Sequence, residues 1–236
     1  FAVEDATVLQ DNTRRAWSML ELGNALSAKL EDKEALSLYN ETAALFHELN
    51  EPRGRLAALS AAGQILLFFG ECEGASAIYV EALAIAKQTN DKSMIAEILS
   101  ETAWLRLHEW KVREARVLAL EANVLFESIG AKDKLIPNRV LLGYLSESEV
   151  ERFGWHTDAL RISLDIQDSF GSTRSLGEIG VLLAERGNLK VGLSCILAST
   201  EEALEQDNLG EITFGAERIG RALETIGEYA LTRRVL

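Results

Sequence analysis

The chain has 236 residues, 47% of them hydrophobic, and a formal net charge of −13 from 37 acidic against 24 basic side chains. Phosphate backbones are bound chiefly by Lys and Arg, so an acidic surplus of this size excludes nucleic acid as an expected direct ligand. The apolar run at residues 65–69, like the others in the chain, is too short to cross a bilayer.

Only two prolines interrupt the chain, which suits helices, because an interior proline removes a hydrogen bond and clashes with the turn before it. Residues 1–9 read as the tail of a helix, and Gln10-Asp11-Asn12 as the turn that ends it. From there small residues recur at one helical position: Gly23, Gly63, Ala103, Gly143, Gly180 and Gly220, at spacings of 40, 40, 40, 37 and 40. A second small set, Ala35, Ala75, Ala115 and Gly192, follows four of these markers by twelve residues. Two helices cross closely only where the facing residues are small.

A turn precedes the second set, written as Gly70-Glu71-Cys72, Gly187-Asn188-Leu189 and Gly227-Glu228-Tyr229, and without glycine as Leu30-Glu31-Asp32 and Trp110-Lys111-Val112. Glycine there tolerates the left-handed geometry that ends a helix. The second helices carry apolar stripes such as Ala75, Ile78, Tyr79 and Ile85. They close on polar turns at Asn50-Glu51-Pro52, Asn90-Asp91-Lys92 and Gly130-Ala131-Lys132.

A self-similar period of this length predicts an all-α solenoid of helix-turn-helix repeats. Its parts are a partial unit at 1–12, units at about 13–52, 53–92, 93–133, 134–173 and 174–210, and a partial unit at 211–236. In the fourth unit Gly143 and Ala159 are sixteen residues apart, which predicts a first helix longer by about one turn, with Ser146–Arg152 projecting and Pro137 in the opening turn. The fifth unit, with Gly171, Gly177, Gly180, Gly187 and Gly192, is expected to be the loosest. Thr232 takes the small-residue position near the end. Neither end carries a polar capping helix, so the expectation is a segment of a longer protein.

These markers carry a resemblance. The chain resembles a tetratricopeptide repeat array, in which a Leu-Gly pair in the first helix is followed by an Ala, aromatic, Ala series in the second. Leu22-Gly23 with Ala35 and Tyr39 fits, as does Gly63 with Ala75, Tyr79 and Ala82; Leu142-Gly143 and Ile219-Gly220 fit more weakly. The period exceeds the usual thirty-four and the closing proline is absent. In this it is similar to the longer variant found in large bacterial signalling ATPases and regulators and in polarity scaffolds of the Pins type. The resemblance implies a right-handed superhelix whose first helices line a concave face that binds other proteins or peptides. Pairing the markers places on that face Trp17, Leu20, Asn24, Ser60, Gln64, Phe68, Glu97, Ser100, Trp104, His108, Val140 and Tyr144. Aromatic side chains among small polar groups suit a peptide groove. For Trp104 and Phe68 the alternative is a place in the core, one register away. A carboxylate clamp of the kind some such domains use is not expected. Asn24 matches it, but Leu20, Glu97 and Glu101 stand where its basic residues would be.

No catalytic residue, metal site or cofactor is expected. His47, His108 and His156 are scattered and read as solvated surface histidines. Cys72 and Cys195 read as two small buried thiols in a reducing compartment, and cytoplasm is the expected setting. Gly171-Ser172-Thr173 lacks the upstream glycine and lysine of a phosphate loop. The expected function is a protein-protein interaction module for a peptide or partner helix, or for another domain of the same protein. The alternative is an effector-sensing regulatory region of a larger signalling ATPase or transcription regulator.

Overall fold

The computed structural model of the chain describes residues 2–206 and 208–224, with the side chains of residues 2–10 and Leu209 left aside. Among the described residues, helix follows helix without a strand. The chain divides into two compact units, Phe1–Leu125 and Phe126–Leu236. Unit 1 contains α1 (Ala2–Ala28), α2 (Asp32–Glu48), α3 (Pro52–Phe68), α4 (Cys72–Thr89) and α5 (Lys92–His108). The division falls within α6 (Val112–Ile129). Unit 2 contains α7 (Lys132–Tyr144), α8 (Glu149–Ile166), α9 (Ser169–Glu185), α10 (Leu189–Glu205) and α11 (Leu209–Glu224).

Left-handed residues punctuate the helices at the period read from the sequence. Leu30, Gly70, Trp110 and Gly187 end first helices; Asn50, Asn90, Gly130 and Gln167 end second helices. At seven of these eight positions the left-handed residue lets the following backbone N–H reach back across the last turn. Glu71 thus donates to the Leu66 carbonyl at 2.8 Å, Lys111 to Arg106 at 2.8 Å and Asn188 to Leu183 at 2.9 Å. These bonds satisfy carbonyls that a bare helix end leaves without a partner.

Where the marker is glycine, packing inside the repeat turns on it. At Gly23 a Cβ would stand 2.6 Å from the Tyr39 ring, and at Gly63 2.6 Å from the Tyr79 ring; at Gly143 the imidazole of His156 fills the same space. The second-helix ring lies flat on the first helix because no side chain lifts it away. Around these contacts the core of unit 1 alternates small and large residues, among them Ala35, Phe46, Ala62, Ile65, Ala82 and Leu105.

Several expectations are corrected. No turn forms at Gln10-Asp11-Asn12: α1 runs through it, and an Asp11–Arg14 ion pair one turn apart sits on its surface. The fourth unit does not have a longer first helix. α7 stops at Tyr144, and Ser148 caps α8 by accepting the Glu151 N–H at 3.2 Å. Glu149–Arg152 therefore form the first turn of α8, and Ser146 is buried with its hydroxyl bonded to the Leu142 carbonyl. His156 meets Gly143 thirteen residues on, whereas Tyr39 and Tyr79 meet their glycines sixteen residues on. The 37-residue spacing thus records a first helix that stops four residues sooner after its marker, followed by a turn one residue longer, and Ala159 takes the place of Ala82 rather than Ala75. Pro137 lies inside α7, beyond its opening turn. The fifth unit is not loosened by its glycines: at Gly180 a Cβ would stand 2.7 Å from the Gly192 carbonyl oxygen, so α9 and α10 meet backbone to backbone. Cys72 and Cys195 are free thiols, half-buried rather than buried. Gly227-Glu228-Tyr229 and Thr232 lie outside the described residues.

Two substitutions separate close approach from backbone strain. Gly180→Ala should cost about 1–3 kcal/mol in urea denaturation, because backbone rather than a pliable side chain must give way. Trp110→Gly should add about 1 kcal/mol, since Trp110 is exposed and holds φ at 61° without a packing reason.

Candidate functional site

In unit 1 the glycine contacts decide what the first-helix face displays. Because Gly23 and Gly63 leave room, the rings of Tyr39 and Tyr79 cross the first helices and bring their hydroxyls to polar residues there. The Tyr39 hydroxyl donates to Asn24 Oδ1 at 2.8 Å. The Tyr79 hydroxyl donates to one oxygen of Glu101 at 3.4 Å, while Gln64 Nε2 donates to the other at 2.8 Å. Burial first, and then the Glu101 carboxylate, raises the Tyr79 phenol far above its ordinary pKa, so it acts as a fixed donor.

Two grooves run between neighbouring first helices. The one between α1 and α3, about 400 Å³, is lined by Asn24, Tyr39, Gln64 and Phe68, with Asp32 at its edge. The one between α3 and α5, about 320 Å³, is lined by Ser60 and Glu97 together with Arg53, Asp91 and Met94. Asp91 caps α5 by accepting from the Ser93 and Met94 N–H groups, and the Arg53 hydrogen bond holds its carboxyl below the usual range.

Of the residues placed on this face from the sequence, Asn24, Ser60, Gln64, Phe68 and Glu97 thus come together along these grooves. Phe68 is 75% exposed and meets Phe69 edge-on. Trp17 is half-exposed and packs edge-on against Phe46, with ring centroids 5.0 Å apart. Ser100 is half-buried, Trp104 is half-buried against the core of unit 1, and His108 is exposed at the end of α5. Leu20 and Val140 are corrections: both are buried. They stand three residues before a marker, where Ser60 and Ser100 are short and polar. A long aliphatic chain at that position turns into the helix contact, where burial is worth about 1.5–3 kcal/mol.

In unit 2, Tyr144 is half-exposed beside the His156 ring, and it leads to a feature that sequence reasoning missed. Seven charged side chains form an alternating chain: Arg152–Glu185 (3.6 Å), Glu185–Arg221 (3.8 Å), Arg221–Glu178 (3.6 Å), Glu178–Arg218 (2.9 Å), Arg218–Glu211 (3.1 Å) and Glu211–Arg174 (2.8 Å). Glu178, Glu211 and Arg218 are buried. Burial alone would raise the Glu178 carboxyl; the Arg218 charge and hydrogen bond, with Arg221, bring it below its ordinary value. Burial first, and then the Glu178 carboxylate, raises the Tyr144 phenol well above its ordinary pKa. A visible signal existed in the spacing of Arg174, Glu178 and Glu185 on one helix and Glu211, Arg218 and Arg221 on another, each set on one face.

His156, expected on the surface, is fully buried, and neither ring nitrogen has a partner. Among the described residues no three His, Cys, Asp or Glu side chains are grouped to hold a metal ion, and no helix is long and apolar enough to cross a membrane.

No family model and no curated protein matches the sequence. Among solved structures the chain is similar to the apo form of RapI, with a TM-score of 0.77 at 13% identity over 94% of this chain and 80% of that one. It is also similar to BtubC from P. vanneervenii, with a TM-score of 0.57 at 16% identity over 97% and 88%. The fold is all-α and tetratricopeptide-like, as the repeat pattern led us to expect.

Burial lowers the His156 pKa from 6.5 to about 4. Unfolded chains therefore take up the proton first, so the stability that His156 contributes is full above about pH 6.5 and is lost as the pH falls towards 4. Between pH 7 and pH 4.5 this amounts to roughly 2–3 kcal/mol. Urea denaturation should show His156→Phe losing less stability across that interval, by about this amount, than the unaltered chain.

Proposed function

We propose that this chain is a protein-interaction module that holds a peptide or partner helix on the first-helix face of unit 1. One observation carries the reading: Asn24, Gln64 and Phe68, chosen from repeat position alone, line one groove with the Tyr39 ring. Fixed amide and hydroxyl groups beside an exposed phenyl ring offer pairing for a peptide backbone and apolar contact for a side chain. The tyrosines hold the polar groups in place before any partner arrives, which lowers the ordering cost of binding. A protein partner also agrees with the acidic surplus of the chain, and nucleic acid is not proposed.

The competing surface is the apolar groove of about 550 Å³ lined by Val80, Leu83, Val117 and Leu118 on α4 and α6. Peptides selected from a random library against the unaltered chain discriminate between the two. Gln64→Ala combined with Phe68→Ala should weaken them about tenfold or more, while Val80→Ser should leave them unchanged. Loss of binding through Val80→Ser, with the double variant unaffected, would place the function on the other face.

A further inference from the structure

The charge chain of unit 2 has an arginine at each end, so four guanidinium groups face three carboxylates. Its carboxylates at the Arg174 end point inward: Glu211 is 1% exposed and Glu178 5%. The group offered outward there is the cation, in a chain whose net charge is −13.

Arg174 is also held in a fixed plane. Its guanidinium carbon lies 5.4 Å from the centroid of the Phe170 ring, on its own helix, and 5.4 Å from that of Phe214, on α11. Its Nε donates to Glu211 at 2.8 Å. Phe170, Phe214 and Tyr144 are each roughly 40% exposed, so the cation sits among apolar surface that water still reaches. Arg174 and Phe214 stand six residues before their markers, the position of Trp17 and Glu97 in unit 1.

We infer that the Phe170–Arg174–Phe214 platform is a second binding site, which takes a carboxylate flanked by an apolar side chain on a partner protein segment. A guanidinium fork matches the two oxygens of a carboxylate, and stacking between rings fixes its orientation beforehand. The half-exposed rings supply contact area for the residue next to that carboxylate. Among the described residues Arg174 alone stands against both the Phe170 and the Phe214 ring, and one guanidinium there suits a singly charged carboxylate better than a phosphate. The carboxylate could be a side chain or a chain terminus, since the fork reads both alike. This site stands on unit 2 alone and does not depend on the first-helix groove of unit 1.

The test uses the full chain and three short acetylated peptides, followed by chemical-shift titration: Phe-Glu-Phe amide, Phe-Gln-Phe amide, and Phe-Gln-Phe with a free terminal carboxylate. The Glu peptide or the free-carboxylate peptide should bind about tenfold tighter than the neutral one, and which of them does so identifies the source. Shifts should centre on Phe170, Phe214 and Tyr144. Arg174→Gln should abolish the preference, while Arg186→Gln, which removes an arginine over another ring of the same unit, should keep it. Phe214→Leu leaves every charge in place and should weaken both carboxylate peptides severalfold, so the site can be judged even if Arg174→Gln does not fold. Three results would overturn the inference: equal affinity for charged and neutral peptides, a preference that survives Arg174→Gln, or inorganic phosphate competing as well as the Glu peptide. Unchanged binding of the library-selected peptides after Gln64→Ala and Phe68→Ala would count against the groove of unit 1 and leave this site untouched.

Discussion

The absence of a side chain at the marker glycines is the constraint on which the rest depends. A tyrosine ring can lie on the first helix only where no Cβ stands between them, as at Gly23 and Gly63. Where the first helix carries Ala103 instead, the residue sixteen positions later is Ala119 rather than tyrosine, and both are fully buried. The larger marker thus goes with a smaller residue sixteen positions on, and the glycine marker with a ring, as close packing requires when single residues vary. The same contact has a chemical consequence. It carries the hydroxyls of Tyr39 and Tyr79 through to Asn24 and Glu101, so packing inside the repeat sets the geometry of the polar face outside it.

Unit 2 solves a different problem with the same helical frame. There the contact between α9 and α11 is built on charge, with Arg218 buried between Glu178 and Glu211. Taking such groups out of water is costly, and the attraction between them offsets that cost only when each charge meets its partners at short range. Alternation along the chain supplies those partners. It also leaves the unmatched positive charge at the ends, where Arg174 is partly exposed. A structural device and a candidate recognition feature therefore share the same side chains.

Much of the fold was legible in the sequence, because close helix crossings and left-handed turns both restrict residue type. Gly70, Gly187, Asn50 and Asn90 advertise such turns directly. Leu30 and Trp110 do not, yet they adopt positive φ because the period places a turn there. The misreading of the fourth unit came from pairing Gly143 with Ala159 by residue size. Histidine was not recognised as the ring that replaces tyrosine, although the 37-residue spacing already recorded the three missing residues. Leu20 and Val140 were placed on the face by position alone, where their apolar length should have decided for the core. The buried charges escaped notice because charged residues on helices are usually solvated. Their pairing is long-range, between helices some forty residues apart, and a single helix shows only half of it.

A double-mutant cycle at Gly63 and Tyr79 tests the central claim most directly, that ring on glycine is the contact around which the repeats carrying Gly23 and Gly63 are built. Gly63→Ala, Tyr79→Ala and the pair together would be measured by equilibrium unfolding, the pair recreating the arrangement of Ala103 and Ala119. Loss of the Tyr79 hydroxyl contributes on both sides of the cycle and cancels. If the account is right, the double variant is more stable than the sum of the single losses predicts, by at least about 1 kcal/mol, because the added methyl no longer meets a ring. Losses that add to within about 0.5 kcal/mol would contradict it.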